Sequence, residues 1–176
     1  VLKTTDFGAT WARVLDEKDQ AWNDVFFVGQ NGWLVGEFGQ IQRSTDGGQS
    51  WSAVPSPVKN SLMSVFFRDA RHGVAVGLAG TVLVSADGGA SWQEAPPLTR
   101  EHLNCVIWDG THWVAVGDKG IRVVAGEGAA DWKAGRISDK DLSWRTQIVR
   151  TADDFVLAGA NLAVLHQDEL RILGRD

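Results

Sequence analysis

The octapeptide Ser44-Thr45-Asp46-Gly47-Gly48-Gln49-Ser50-Trp51 recurs as Ser85-Ala86-Asp87-Gly88-Gly89-Ala90-Ser91-Trp92, and earlier as Thr4-Thr5-Asp6-Phe7-Gly8-Ala9-Thr10-Trp11. A worn copy at 125–132 keeps the tryptophan and loses the other fixed residues. The tryptophans fall at 11, 51, 92 and 132, which are steps of 40, 41 and 40 residues. Self-similarity at this period is the mark of a propeller or another repeat array. Each residue type suits a tight hairpin. The Asp carboxylate accepts downstream N–H groups, the glycines supply positive φ, and the Ser or Thr hydroxyl bonds across the turn mouth. The Trp folds back as an apolar plug burying on the order of 200 Å². One carboxylate per turn is too few ligands for a hard cation, so the repeat predicts structural turns and no metal site. The degraded fourth copy predicts looser packing for Trp132.

The pattern S-x-D-x-G-x-x-W resembles the Asp-box of sialidase-type propellers. The wider repeat is Val25-Phe26-Phe27, then Gly32-Trp33-Leu34-Val35-Gly36, then Gly39 and the box. It returns as Val65-Phe66-Phe67, Gly73-Val74-Ala75-Val76-Gly77 and Gly80. This arrangement resembles the propeller family of photosystem II assembly and stability factors and their bacterial relatives. The resemblance implies a β-propeller, a non-catalytic scaffold that binds a protein or peptide in assembly or stabilisation of a larger complex, and an exported or periplasmic setting. It does not by itself fix function, because such scaffolds host many activities.

Short apolar or alternating runs cut by glycine and proline read as strands throughout. The expected architecture is all-β, with four-stranded units of about 40 residues at 24–54, 64–94, 105–133 and 147–173, and a half unit at 1–15. In the fourth unit, residues 166–173 fall in box register without the Gly or Trp. Four units make a tight ring. Residues 1–15 either clasp the last unit or belong to a larger propeller, and the larger ring is the preferred reading.

Composition excludes several functions. The net charge of −5 argues against a general nucleic-acid or anionic-membrane binder, and no run of 18 apolar residues suggests a membrane span. The lone Cys105 sits in a strand-like run and reads as a buried thiol. His72, His102, His112 and His166 lack metal-ligand spacing. Neither a cofactor nor a catalytic set is indicated. Sialidase chemistry needs a Tyr nucleophile, and the chain has no Tyr. The Asp-box hydrolases acting on xyloglucan use paired carboxylates. Asp24, Glu37, Glu101, Asp118 and Asp141 are available, but spacing selects no pair. A carbohydrate-active propeller, hydrolase or lectin, therefore stands as the alternative.

The candidate binding surface is the face opposite the boxes, where connections between units meet the turns between second and third strands. Lys18-Asp19, Lys59-Asn60, Arg100-Glu101 and Lys140-Asp141 recur there, one dipeptide before each inner strand. Phe38 and Lys119 occupy the neighbouring turns. These residues fit either a solvated loop with local charge pairs or a polar rim for an acidic or peptide partner.

Overall fold

The computed structural model describes residues 1–15 and 20–174. Strands β1 (Leu2–Lys3) and β2 (Ala12–Arg13) form a two-stranded half unit. Unit 1 contains β3 (Trp22–Val28), β4 (Asn31–Gly36), β5 (Ile41–Ser44) and β6 (Ser52–Val54). Unit 2 contains β7 (Leu62–Phe67), β8 (Gly73–Gly77), β9 (Val82–Ser85) and β10 (Gln93–Glu94). Unit 3 runs through β11 (Leu103–Trp108), β12 (Trp113–Gly117), β13 (Ile121–Ala125) and β14 (Lys133–Arg136). Unit 4 runs through β15 (Arg145–Arg150), β16 (Phe155–Gly159), β17 (Ala163–His166) and β18 (Glu169–Ile172). Each unit is an antiparallel meander in chain order, and the inner strands β3, β7, β11 and β15 stand side by side. This is the β-propeller architecture read from the repeat.

The core lies between units. Trp33, Val35 and Ile41 of unit 1 meet Val65, Phe67, Leu83 and Trp92 of unit 2. Val74, Val76 and Val82 then meet Ala115, Val123 and Trp132 of unit 3. Because both sheet faces are covered, β8 and β12 are buried along their whole length, which explains their unbroken apolar sequence.

The inner strands begin two residues earlier than the sequence suggests, beyond a β-bulge repeated at the same place in every unit. Register shifts between Trp22 and Asp24, Leu62 and Ser64, Leu103 and Cys105, and Arg145 and Gln147. A bulge frees one residue from the ladder and re-aims its side chain. The freed Asn23 donates to the Leu62 carbonyl at 2.8 Å, and Asn104 to the Arg145 carbonyl at 3.1 Å. One residue on, Asp24 accepts the Val65 amide at 2.9 Å and Ser64 the Val106 amide at 3.3 Å. Side chains at the inner rim thus tie each unit to the next.

The box turns have the chemistry read from their sequence. Asp46 Oδ1 accepts the amides of Gln49 and Ser50 at 2.9 and 3.0 Å, and Ser44 Oγ donates to Asp46 while accepting the Gly48 amide at 2.8 Å. The plugs depart from expectation. Trp132 is 7% exposed, as deep as Trp92 at 6%, whereas Trp11 is 59% exposed. In the worn turn the backbone does what the carboxylate does elsewhere. Left-handed Ala129 (φ 49) donates to the Gly126 carbonyl at 3.0 Å and accepts the Trp132 indole N–H at 2.9 Å.

The fourth unit differs more. Residues 166–173 do not occupy box register; a two-residue turn at Gln167 and Asp168 pairs His166 directly with Glu169. Gln167 takes the positive φ of 54 that so short a hairpin requires. The turn and its plug are absent from this unit.

Candidate functional site

The face opposite the boxes is built from three-residue turns at Glu37–Gly39, Leu78–Gly80 and Asp118–Gly120. Their middle residues Phe38, Ala79 and Lys119 are left-handed, with φ of 57, 55 and 50. Local packing holds this unusual conformation. The amides of Glu37, Leu78 and Asp118 each donate at 3.0 Å to the chain entering their own unit, at Ala21, Ser61 and His102. The third residue faces the connection leaving the unit. A Cβ on Gly39, Gly80 or Gly120 would run into the carbonyl of Val58, Thr99 or Asp141, so only glycine fits. Connections and turns therefore share one face, and the middle side chains stand outward. Phe38 is 64% exposed.

Lys18 and Asp19 lie outside the described residues. In the other three dipeptides the two members do not pair with each other. Asn60 turns to the neighbouring turn, donating to Thr81 Oγ1 at 3.0 Å. Glu101 lies 3.2 Å from Lys119 Nζ and 3.7 Å from Arg136 Nη2. Asp141 accepts the Ser143 amide at 2.9 Å and Arg145 Nη2 at 2.5 Å. Burial works against the Asp141 anion, but the Ser143 hydroxyl and amide and the Arg145 guanidinium outweigh it, holding this carboxyl below the usual range. Lys59, Arg100 and Lys140 are left exposed, with no side-chain partner among the described residues. Amide and acid members serve the fold, and the basic members are free.

Two residues of this face were missed in the sequence. Arg136 joins Glu101 and also donates to the Lys119 carbonyl. Arg145 is buried at 1% exposure where units 2 and 3 have Leu62 and Leu103, all three opposite the glycine that ends the second strand. It also donates to Asn161 Oδ1 at 2.7 Å. The signal for Arg145 was a cation at an apolar repeat position.

The remaining candidates are engaged structurally. Asp24 Oδ1 accepts the Val25 amide, Glu37 accepts the Ala21 amide, and Asp118 accepts Asn104 Nδ2. His72 and His112 close turns on the box face, each beside an aspartate three residues back that accepts its amide. His102 accepts the Ala79 amide on Nδ1 at 3.0 Å, so that nitrogen carries no proton in this arrangement. Burial pushes the Cys105 thiol above its ordinary value. Among the described residues no group of three His, Cys, Asp or Glu gathers as a metal site, and no helix is long and apolar enough to cross a membrane.

The family model described as Photosynthesis system II assembly factor YCF48 matches residues 51–154, and that of the BNR/Asp-box repeat matches residues 42–53. The photosystem II assembly lipoprotein Ycf48 of Synechococcus sp. (strain CC9902) is 38% identical over 56 residues, which are 30% of this chain and 17% of that protein. Among solved structures, YCF48 bound to D1 peptide is 23% identical with a TM-score of 0.71, covering 98% of this chain and 61% of that one. YCF48 from Cyanidioschyzon merolae is 18% identical with a TM-score of 0.71, over 97% of this chain and 64% of that one. An ancestral GH74 enzyme has a TM-score of 0.76 at 19% identity, over 98% of this chain and 28% of that one. These structural likenesses establish the fold. The chain spans less than two thirds of each of these relatives.

Proposed function

This chain belongs to the Photosynthesis system II assembly factor YCF48 family, and on that premise we propose that its loop face binds a protein or peptide segment as a non-catalytic scaffold. The observation that carries the reading is the set of cations Lys59, Arg100 and Lys140, which have no side-chain partner among the described residues and are repeated before successive inner strands while their neighbours are drawn into the fold. Exposed pairs would contribute only about 0–1 kcal/mol each to folding, and here the pairs do not form. Cations at one register of successive units suit steering and orienting an anionic or carboxylate-ended partner. Phe38, Lys119, Asn60 and Glu101 complete the surface. The relative bound to a D1 peptide supports a peptide ligand and a role in assembling a larger complex. The relative named a lipoprotein supports an exported setting. The half unit β1–β2 lies against unit 1, with Lys3 Nζ donating to the Gly47 carbonyl at 2.6 Å; this supports residues 1–176 as part of a larger propeller. In the test, the double variant Lys59→Glu, Arg100→Glu is titrated with the D1 peptide at two salt concentrations. The expected outcome is an unchanged melt with weakened binding, the loss being greater at low salt. Unchanged affinity in a folded variant would remove these residues from the site.

A further inference from the structure

Three interfaces join the four units, and two of them contain an indole from a box turn. Trp92 closes the first and Trp132 the second. The buried core between units 3 and 4 has none, because the two-residue hairpin at 167–168 removes both turn and plug. A cavity of about 210 Å³ lies at this interface, walled by Val114, Val124, Ile137, Phe155 and Leu165. Asp109 and His112 line it as well, from the box-side turn of unit 3, and Arg122 lines it from β13.

We propose that this cavity is a docking site for a tryptophan side chain carried by a peptide. Its size suits the group: an aliphatic cavity of about 150 Å³ takes up benzene, so this larger one has room for a bicyclic ring. Its walls repeat a known indole site, since Val74 and Val84 border the core that holds Trp132, and Val114 and Val124 return forty residues later. A partner for an indole N–H is also at hand. Both Trp33 and Trp132 donate their indole N–H to a turn carbonyl at 2.9 Å. At the cavity, Asp109 Oδ1 takes the amides of Thr111 and His112, while Oδ2, among the described residues, faces only His112 at 3.8 Å and retains lone pairs for such a donor. The lining reaches solvent at half-exposed His112 and at Arg122, which pairs with exposed Asp168, so a ring can enter while its backbone stays outside. Its polar end, at Asp109 and His112, lies on the face opposite Lys59 and Arg100, and the site stands independently of the loop-face reading.

The test is a titration of the intact chain with N-acetyl-tryptophanamide, followed by methyl NMR. Saturable shifts are expected at Val114, Val124 and Leu165, with a rise in Tm. N-acetyl-leucinamide should leave those methyls unmoved. Val124→Trp, which fills the partly exposed edge of the cavity from within, should fold normally and abolish the shifts; Phe155→Trp is the second filling variant if the first does not fold. The Lys59→Glu, Arg100→Glu variant should respond like the parent. Unmoved methyls up to the solubility limit of the probe would overturn the proposal, as would an equal response to leucinamide. So would binding of free indole without binding of the tryptophanamide.

Discussion

The indole of Trp33 lies flat on the ring of Phe67, with centroids 3.5 Å apart and planes 7° from parallel. Its N–H simultaneously donates to the Gly88 carbonyl of the next unit's box turn at 2.9 Å. One side chain of unit 1 thus grips both the inner strand and the outer turn of unit 2. Phe67 in turn covers Gly73, where a Cβ would collide with its ring. Aromatic and glycine positions are therefore read together across the interface.

That grip makes Gly89 intolerant of any side chain. Its φ is 77, and a Cβ would meet the Trp33 indole. A non-glycine residue there costs about 1–3 kcal/mol in backbone strain, and overpacking adds a comparable amount. Gly128 has open space around its missing Cβ. Gly89→Ala should sharply lower the urea midpoint, while Gly128→Ala should leave it unchanged or slightly raised.

The plugs should rank by burial rather than by how well their turns match the repeat. Trp92→Ala and Trp132→Ala should each cost about 3–5 kcal/mol in chemical denaturation. Trp11→Ala should be nearly silent, since that ring is 59% exposed. A small effect at Trp132 would contradict its buried placement.

The serine of the box matters as much as its acid. Ser85 is buried, accepts the Gly89 amide at 2.9 Å and donates to Asp87. Ser85→Ala strands that buried amide, which should cost about 1–3 kcal/mol, measurable by urea melt.

Acid should loosen these turns over a defined window. The Ser91 hydroxyl, followed by the Ser91 amide and the Ser85 hydroxyl, holds Asp87 down at about 2 against opposing burial. A depressed carboxyl contributes stability above its unfolded pKa, near 4, and loses it as pH falls towards 2. The gap between parent and Asp87→Asn should therefore narrow across that window. A constant gap would show that the ionised carboxylate is not what holds the turn.

Cys105 should resist alkylation in the folded chain. It is 5% exposed, and burial raises its thiol, so little thiolate exists near neutral pH. Iodoacetamide should label it only after denaturation.

What could be read from the sequence was whatever a unit writes locally. The box acids Asp46 and Asp87, their serines and their glycines act within eight residues, and the 40-residue period carries the sheet order. The bulges at Asn23 and Asn104 escaped because a bulge is a mismatch between two strands, and their partners lie in the following unit. Trp132 was misjudged because backbone bonds at Ala129 leave no side-chain trace. The hairpin at Gln167 was hidden by a spacing that counts residues and not pairings. On the loop face the recurring dipeptides were visible, but which member would be drawn inward was not. That depends on Thr81, Arg136 and Arg145, each of them distant in sequence from its partner or out of character for its position.

The glycines that press the three turns against the outgoing connections have a kinetic consequence. A rim whose loops are already immobilised presents one shape before any partner arrives. Association then requires little ordering of the receptor, and its rate should follow long-range attraction to Lys59, Arg100 and Lys140 rather than loop closure. Replacing Gly80 with a larger residue would keep every charge on the chain and still slow capture, because the connection at Thr99 would be pushed away and the receptor would have to find its shape on each encounter.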